Sequence, residues 1–246
     1  MKVELTVPTS LSDIPLHQYQ KFIKTFEGEE DVTDEYAGLK MLELFCGLKI
    51  DDALKVKMSD MNIIVSKLNE CLSEKPELIT RFKLGNTEFG FIPQLDDMTF
   101  GMFVDLENSI SDWDSMHKAM AVLYRPVTQR IKGQYEIEDY RSANSYTSRH
   151  IEHSLVPASV AIIAISFFFS FRERLTESYA ALFENTGGSS TGRDANFTQQ
   201  WGWYHSFMRL ANDKFLDLEV VAKKNMHNCL TYLTYQKQKN EVQDNY

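Results

Sequence analysis

Cysteine is scarce in this chain: Cys46, Cys71 and Cys229 are the only three among 246 residues. Their odd number and wide spacing, with no C-x-x-C pair, argue against a disulfide framework and against a zinc site. Cys46 and Cys71 fall on the apolar stripes of expected helices and read as small buried hydrophobes in a reducing compartment. Positive charge is also short, 26 Lys and Arg against 35 Asp and Glu, for a formal net charge of -9. That balance argues against a dedicated nucleic-acid binder, whose phosphate contacts need clustered cations. The N-terminal segment has no long apolar run and is not expected to be a signal peptide. No internal repeat, H-E-x-x-H pair or G-x-S-x-G elbow occurs. No catalytic or cofactor-binding constellation is expected, and no metal site.

What is present is the composition of a folded globular chain, 43% hydrophobic and 12% aromatic. One exception stands against a mean hydropathy of -0.34: Leu155 to Phe171 carries no charge or amide and is closed by Arg172-Glu173-Arg174. A spanning helix needs about 17–25 apolar residues, so this segment sits at the lower limit. It contains three serines and has Pro157 in its first turn. A buried central helix is the preferred reading; a membrane-associated protein anchored by residues 155–171 is the alternative.

Along the chain, Lys2 to Val7 alternates like a half-buried strand. Helices are expected over 15–26, over 34–46 with Gly47 as the stop, and from Ser59 to near Pro76. The acidic GEEDVTDE run between the first two reads as a loop. Leu78–Leu84 and Thr87–Pro93 flank Gly85-Asn86, a hairpin signal, and the N-terminal strand is expected to pair with it. Helices follow over 99–110, capped by Thr99 or Asp97, and over 113–124, ending before Pro126. Residues 135–140 read as a short strand or turn. From 142 the chain reads as helix: about thirty residues from 156, a flexible loop over 185–196, an aromatic helix, and a helix over 215–240 with a fraying tail. The fold class is therefore mainly α (α+β): an N-terminal part, 1–141, with hairpin, strand and several helices, then an all-α part, 142–246, with a long buried helix.

Motifs of chemical interest have plainer explanations. Gly187 to Asp194 outlines a phosphate loop, but Arg193 and Asp194 replace its lysine and hydroxyl, and a helix precedes it. His150 and His153 share one helix side without a third ligand. Asp96 and Asp97 fit a helix start, Asp105 and Glu107 do not face each other, and His117 reads as half-buried. Trp201, Trp203, Tyr204 and Phe207 are the candidate partner interface: 203, 207 and 210 form one stripe, and Trp201 and Tyr204 lie off it.

Residues 90–126 carry a further signal, in Phe91-Ile92-Pro93, Leu95-Asp96, Met98-Thr99, Gly101, Trp113 and His117 to Pro126. This FIP-x-L-D-x-M-[ST]-x-G segment, followed by W-x-x-x-H-K-A-M-A-V-L-Y-R-P, resembles uncharacterised tailed-bacteriophage proteins encoded in the virion-assembly region. The opening LSDIPLHQYQKF and closing NCLTYLTYQKQKNEV are similar to the ends of that family. The resemblance implies non-enzymatic morphogenesis: a tail-assembly chaperone or minor virion component, in the infected host cytoplasm or the particle. Its partners would be tail, neck or capsid proteins, with no nucleic acid and an undefined oligomeric state. It assigns no catalytic residue.

Overall fold

The computed structural model describes residues 5–28, 32–141, 153–183 and 192–244, with backbone alone for 192–200 and 244. The protein is mainly α with one four-stranded antiparallel sheet. The helices are α1 (Leu16–Phe26), α2 (Asp34–Cys46), α3 (Ile50–Ala53), α4 (Met58–Leu72), α5 (Phe100–Ile110), α6 (Met116–Leu123), α7 (Ala158–Ser178), α8 (Ala180–Phe183), α9 (Gly192–Leu210), α10 (Leu218–Ala222) and α11 (Met226–Asp244). The strands β1 (Arg81–Leu84), β2 (Thr87–Phe91), β3 (Tyr124–Ile131) and β4 (Gln134–Ile137) lie in sequence order across the sheet.

Local chemistry sets most boundaries. Thr33 Oγ1 accepts from the Tyr36 amide at the start of α2, and Gly47 stops it in the left-handed conformation, φ 68°. Thr99 caps α5 by accepting from the Met102 amide. Gly85 supplies the positive φ, 57°, of the β1–β2 turn. α1 is capped by no side chain; Ser10 caps a short 3-10 turn before it, and Pro15 leads into the helix. Lys57, not Ser59, stands at the start of α4.

The expected N-terminal strand is corrected. Leu5 and Val7 belong to no strand; Val7 packs against the cluster of Leu11, Ile14 and Phe45, and Leu5 against that of Leu42 and Met61. The hairpin pairs instead with β3, Phe89 opposite Pro126 and Phe91 opposite Tyr124. Tyr124 thus leaves α6 directly as a strand, which satisfies the hairpin's inner edge.

The two halves meet in one hydrophobic cluster containing Leu16, Phe89, Phe100, Leu123, Phe168 and Leu230. Two backbone clasps join them. Leu16 N–H donates to Val156 O at 2.7 Å and Ala158 N–H to Ile14 O at 2.8 Å. Phe100 N–H donates to Lys224 O at 2.8 Å and Met226 N–H to Met98 O at 2.9 Å.

The apolar segment is not buried on all sides. Ala161, Ala164, Ile165, Phe168, Phe171 and Leu175 of α7 form a buried helical stripe, while Phe167 and Phe169 are exposed. Ser166 and Ser170 lie on the outer face and donate to the carbonyls of Ile162 and Ser166. Among the described residues no helix is long and apolar enough to cross a membrane. The thirty-residue helix expected from 156 breaks at Tyr179, and the expected 215–240 helix divides at Lys223–Asn225 into α10 and α11. The last of these continues to Asp244, beyond the expected fraying point. Residues 192–196, expected in a loop, are helical; the rest of that loop, residues 29–31 of the acidic run, Lys2 to Glu4 of the expected strand, His150 and the first residues of the all-α part lie outside the described residues.

Candidate interaction surface

Gly202 divides α9 with a non-helical backbone, φ 40° and ψ -123°, and so separates the neighbouring tryptophans. Trp203 turns inward, its ring 5.8 Å from Phe100 and 5.2 Å from Phe103, in edge-to-face geometry. Phe207 follows one turn later, 4.8 Å from Phe100. Trp201 and Tyr204 point outward, 44% and 47% exposed, with rings 5.7 Å apart. The four expected interface residues therefore divide: Trp203 and Phe207 anchor α9 on α5, and Trp201 and Tyr204 form an outer aromatic pair.

A second apolar surface lies at the start of α10, which packs against both α9 and α5. Asn212 and Asp213 turn the chain with φ of 56° and 59°, a conformation asparagine and aspartate tolerate better than most residues. The segment they introduce leaves Phe215 67% and Leu216 78% exposed, with Val220 exposed beyond them. An open cleft lined by Leu210, Lys214, Val220 and Lys224 runs alongside. The sequence hid this surface because Leu218 and Ala222 continued an acceptable stripe. The available signal was the surplus of apolar residues off that stripe, the same signal that marked Trp201 and Tyr204.

One constellation drawn from distant residues was not legible in the sequence. Tyr179 Oη lies 2.9 Å from His227 Nδ1, and His227 Nε2 lies 3.0 Å from Asp96 Oδ1. The order hydroxyl, imidazole, carboxylate is that of a nucleophile and its base. Here the Asp96 side chain is 73% exposed, so its carboxylate is solvated rather than held in a dry site. The phenol also lies against His227 O at 3.3 Å and Thr231 Oγ1 at 3.4 Å. Asn225 Nδ2 donates to Asp96 O nearby, at 3.0 Å. Together these bonds tie the start of α11 to the turn before α5 and to the end of α7.

The other titratable candidates serve the fold. Asp96 and Asp97 lie in a 3-10 turn before the Thr99 cap. Asp105 accepts from Tyr140 Oη, and Glu107 pairs with Arg172 at 2.6 Å. His153 is buried with Nε2 3.1 Å from Tyr124 O; His117 is half-buried, as expected. Among the described residues no group of three or more His, Cys, Asp or Glu could hold a metal ion. Of the phosphate-loop outline, Gly187 to Thr191 lie outside the described residues.

Cys71 and Cys229 are buried and Cys46 half-buried, and burial pushes all three thiols up to about 11. An acid raised on folding binds its proton more tightly in the native state, so stability is present below the unfolded thiol value of about 8.5. It is lost as pH rises toward 11. Urea midpoints are expected to fall between pH 8 and pH 10.5, and by less in a Cys71→Ala/Cys229→Ala variant. An unchanged midpoint would refute the burial of these thiols.

No family model, no curated protein and no solved structure matches this chain.

Proposed function

We propose that this protein acts without catalysis, through protein–protein contacts, in the assembly of a tailed-bacteriophage particle. The observation that carries the reading is the exposed apolar surface of α9 and α10, with Trp201 and Tyr204 outward and Phe215, Leu216 and Val220 beyond them. Aromatic residues that the core does not need are the residues that interfaces use as anchors. The resemblance of residues 90–126 to virion-assembly proteins supplies the setting. In that setting the partner is a tail, neck or capsid protein, and the work is to shield an assembly-prone surface or to occupy a fixed place in the particle.

Mass spectrometry of purified particles and of infected-cell lysate tests the reading. Fixed stoichiometry in particles identifies a minor virion component. Abundance in lysate, absence from particles and co-purification with a structural protein identify an assembly chaperone. Absence from particles together with no structural protein bound in lysate contradicts both.

A Trp201→Ser/Tyr204→Ser variant is expected to keep its stability within about 1 kcal/mol, because both rings already lie half in water. Capture of the structural partner is expected to fall by roughly thirtyfold, the loss of about 2 kcal/mol that marks an interface anchor. Wild-type capture with the variant would remove this pair from the interface.

A further inference from the structure

We infer that the outer edge of β1 is a docking site for an extended segment of another protein, one that alternates acidic and apolar residues and adds to the sheet as a fifth strand. The inference is independent of the surface on α9 and α10. Phe91 N–H donates to Thr80 O at 2.8 Å, so Thr80 and Phe91 form a hydrogen-bonded pair. Paired residues of an antiparallel ladder alternate between bonded and non-bonded. Arg81 opposite Gly90 and Lys83 opposite Glu88 are therefore non-bonded pairs, and their N–H and C=O groups point away from β2. No described residue bonds to those outward groups, and β1 ends the sheet.

Side chains define what would fit. On one face of β1, Phe82 and Leu84 are half-buried against the core with Leu78. Apolar residues of an added strand would extend that packing. On the other face Arg81 and Lys83 are exposed, and Arg130 joins them by pairing with Glu88 at 2.5 Å. Arg81 also stacks over Tyr135, its guanidinium carbon 5.7 Å from the ring centre. Lys83 makes no ion pair among the described residues. Glu88, 4.0 Å from Arg81 as well, offsets one of these three cations, so in a chain of net charge -9 this corner of the sheet keeps a cationic excess. A second copy would be a poor occupant: antiparallel β1–β1 pairing brings Arg81 and Lys83 of one copy against the same cations of the other, and like charges placed opposite destabilise. An acidic strand from a different protein meets the same edge with complementary charge and gains main-chain bonds.

The probes are two short peptides, one alternating valine with glutamate and one alternating valine with lysine, titrated by fluorescence anisotropy against the full chain. The glutamate peptide is expected to bind and the lysine peptide to bind more weakly. Binding should slow hydrogen exchange at the Arg81 and Lys83 amides. Arg81→Glu/Lys83→Glu is expected to shift the preference toward the lysine peptide by about tenfold, because two cross-strand pairs change sign. Lys83→Pro removes one outward N–H without removing a β1–β2 bond, and is expected to abolish binding while circular dichroism stays unchanged. The inference is overturned if neither peptide binds, or if Lys83→Pro binds like wild type. It is also overturned if the glutamate peptide binds without slowing exchange at the two amides; the cations would then only guard a free edge.

Discussion

Phe168→Ala is expected to destabilise the fold by about 3–5 kcal/mol, the usual cost of emptying a buried aromatic site. Phe168 is fully buried in the cluster that joins the two halves, with Phe171 6.2 Å away along α7. Phe169, the next residue, is 45% exposed, and Phe169→Ala is expected to cost under about 1 kcal/mol. The contrast between adjacent phenylalanines is the informative part. A helix lying wholly in lipid would present both rings to the same apolar medium, whereas a one-faced helix treats them differently. Urea denaturation of the two variants measures it. Equal effects would contradict the packing of α7.

Gly90→Ala has the second largest expected effect, a loss of about 2–3 kcal/mol, the range for forcing extra volume into a packed site. A Cβ at this position would lie 2.5 and 2.8 Å from ring carbons of Tyr135 and 2.9 Å from Ile137. Tyr135 cannot swing away cheaply. Its hydroxyl donates to Phe91 O at 2.8 Å, and its backbone sits in β4 opposite Arg130. The methyl group would therefore push β4 off the sheet or break the phenol's bond. Adding Tyr135→Ala to Gly90→Ala should cost less than the sum of the single changes, since the clash is already relieved. Thermal unfolding of the two single variants and the double variant checks this, and strict additivity would contradict the contact.

What the sequence made legible follows from how local each cause is. α1, α2 and α5, and the Gly85-Asn86 turn, are written in caps, stripes and a glycine close at hand. β3 was missed because its first residues, Tyr124 to Pro126, pair with β2, which is distant in the chain. Tyr124-Arg125-Pro126 reads as the end of α6, and its turn into β4 uses Lys132 at φ 49° before Gly133, where the usual signal would be asparagine or aspartate. The N-terminal alternation of Leu5 and Val7 was genuine, but period-2 spacing does not say whether the neighbour is a strand or a helix. On α7 the outer face carries Phe167 and Phe169 where a charge would have revealed the period. The Tyr179–His227–Asp96 tie spans up to 131 positions of chain and has no local signature. The proposed interface was half legible. Off-stripe aromatics singled out Trp201 and Tyr204, but a stripe on the same residues could not separate them from the packed Trp203 and Phe207 without the break at Gly202.

Cross-linking mass spectrometry in infected cells, wild type against Trp201→Ser/Tyr204→Ser, tests the central claim most directly. The account predicts cross-links from residues 201–220 to one virion structural protein, lost in a variant that remains folded. A wild-type chain that sediments alone and cross-links to no virion protein would contradict it.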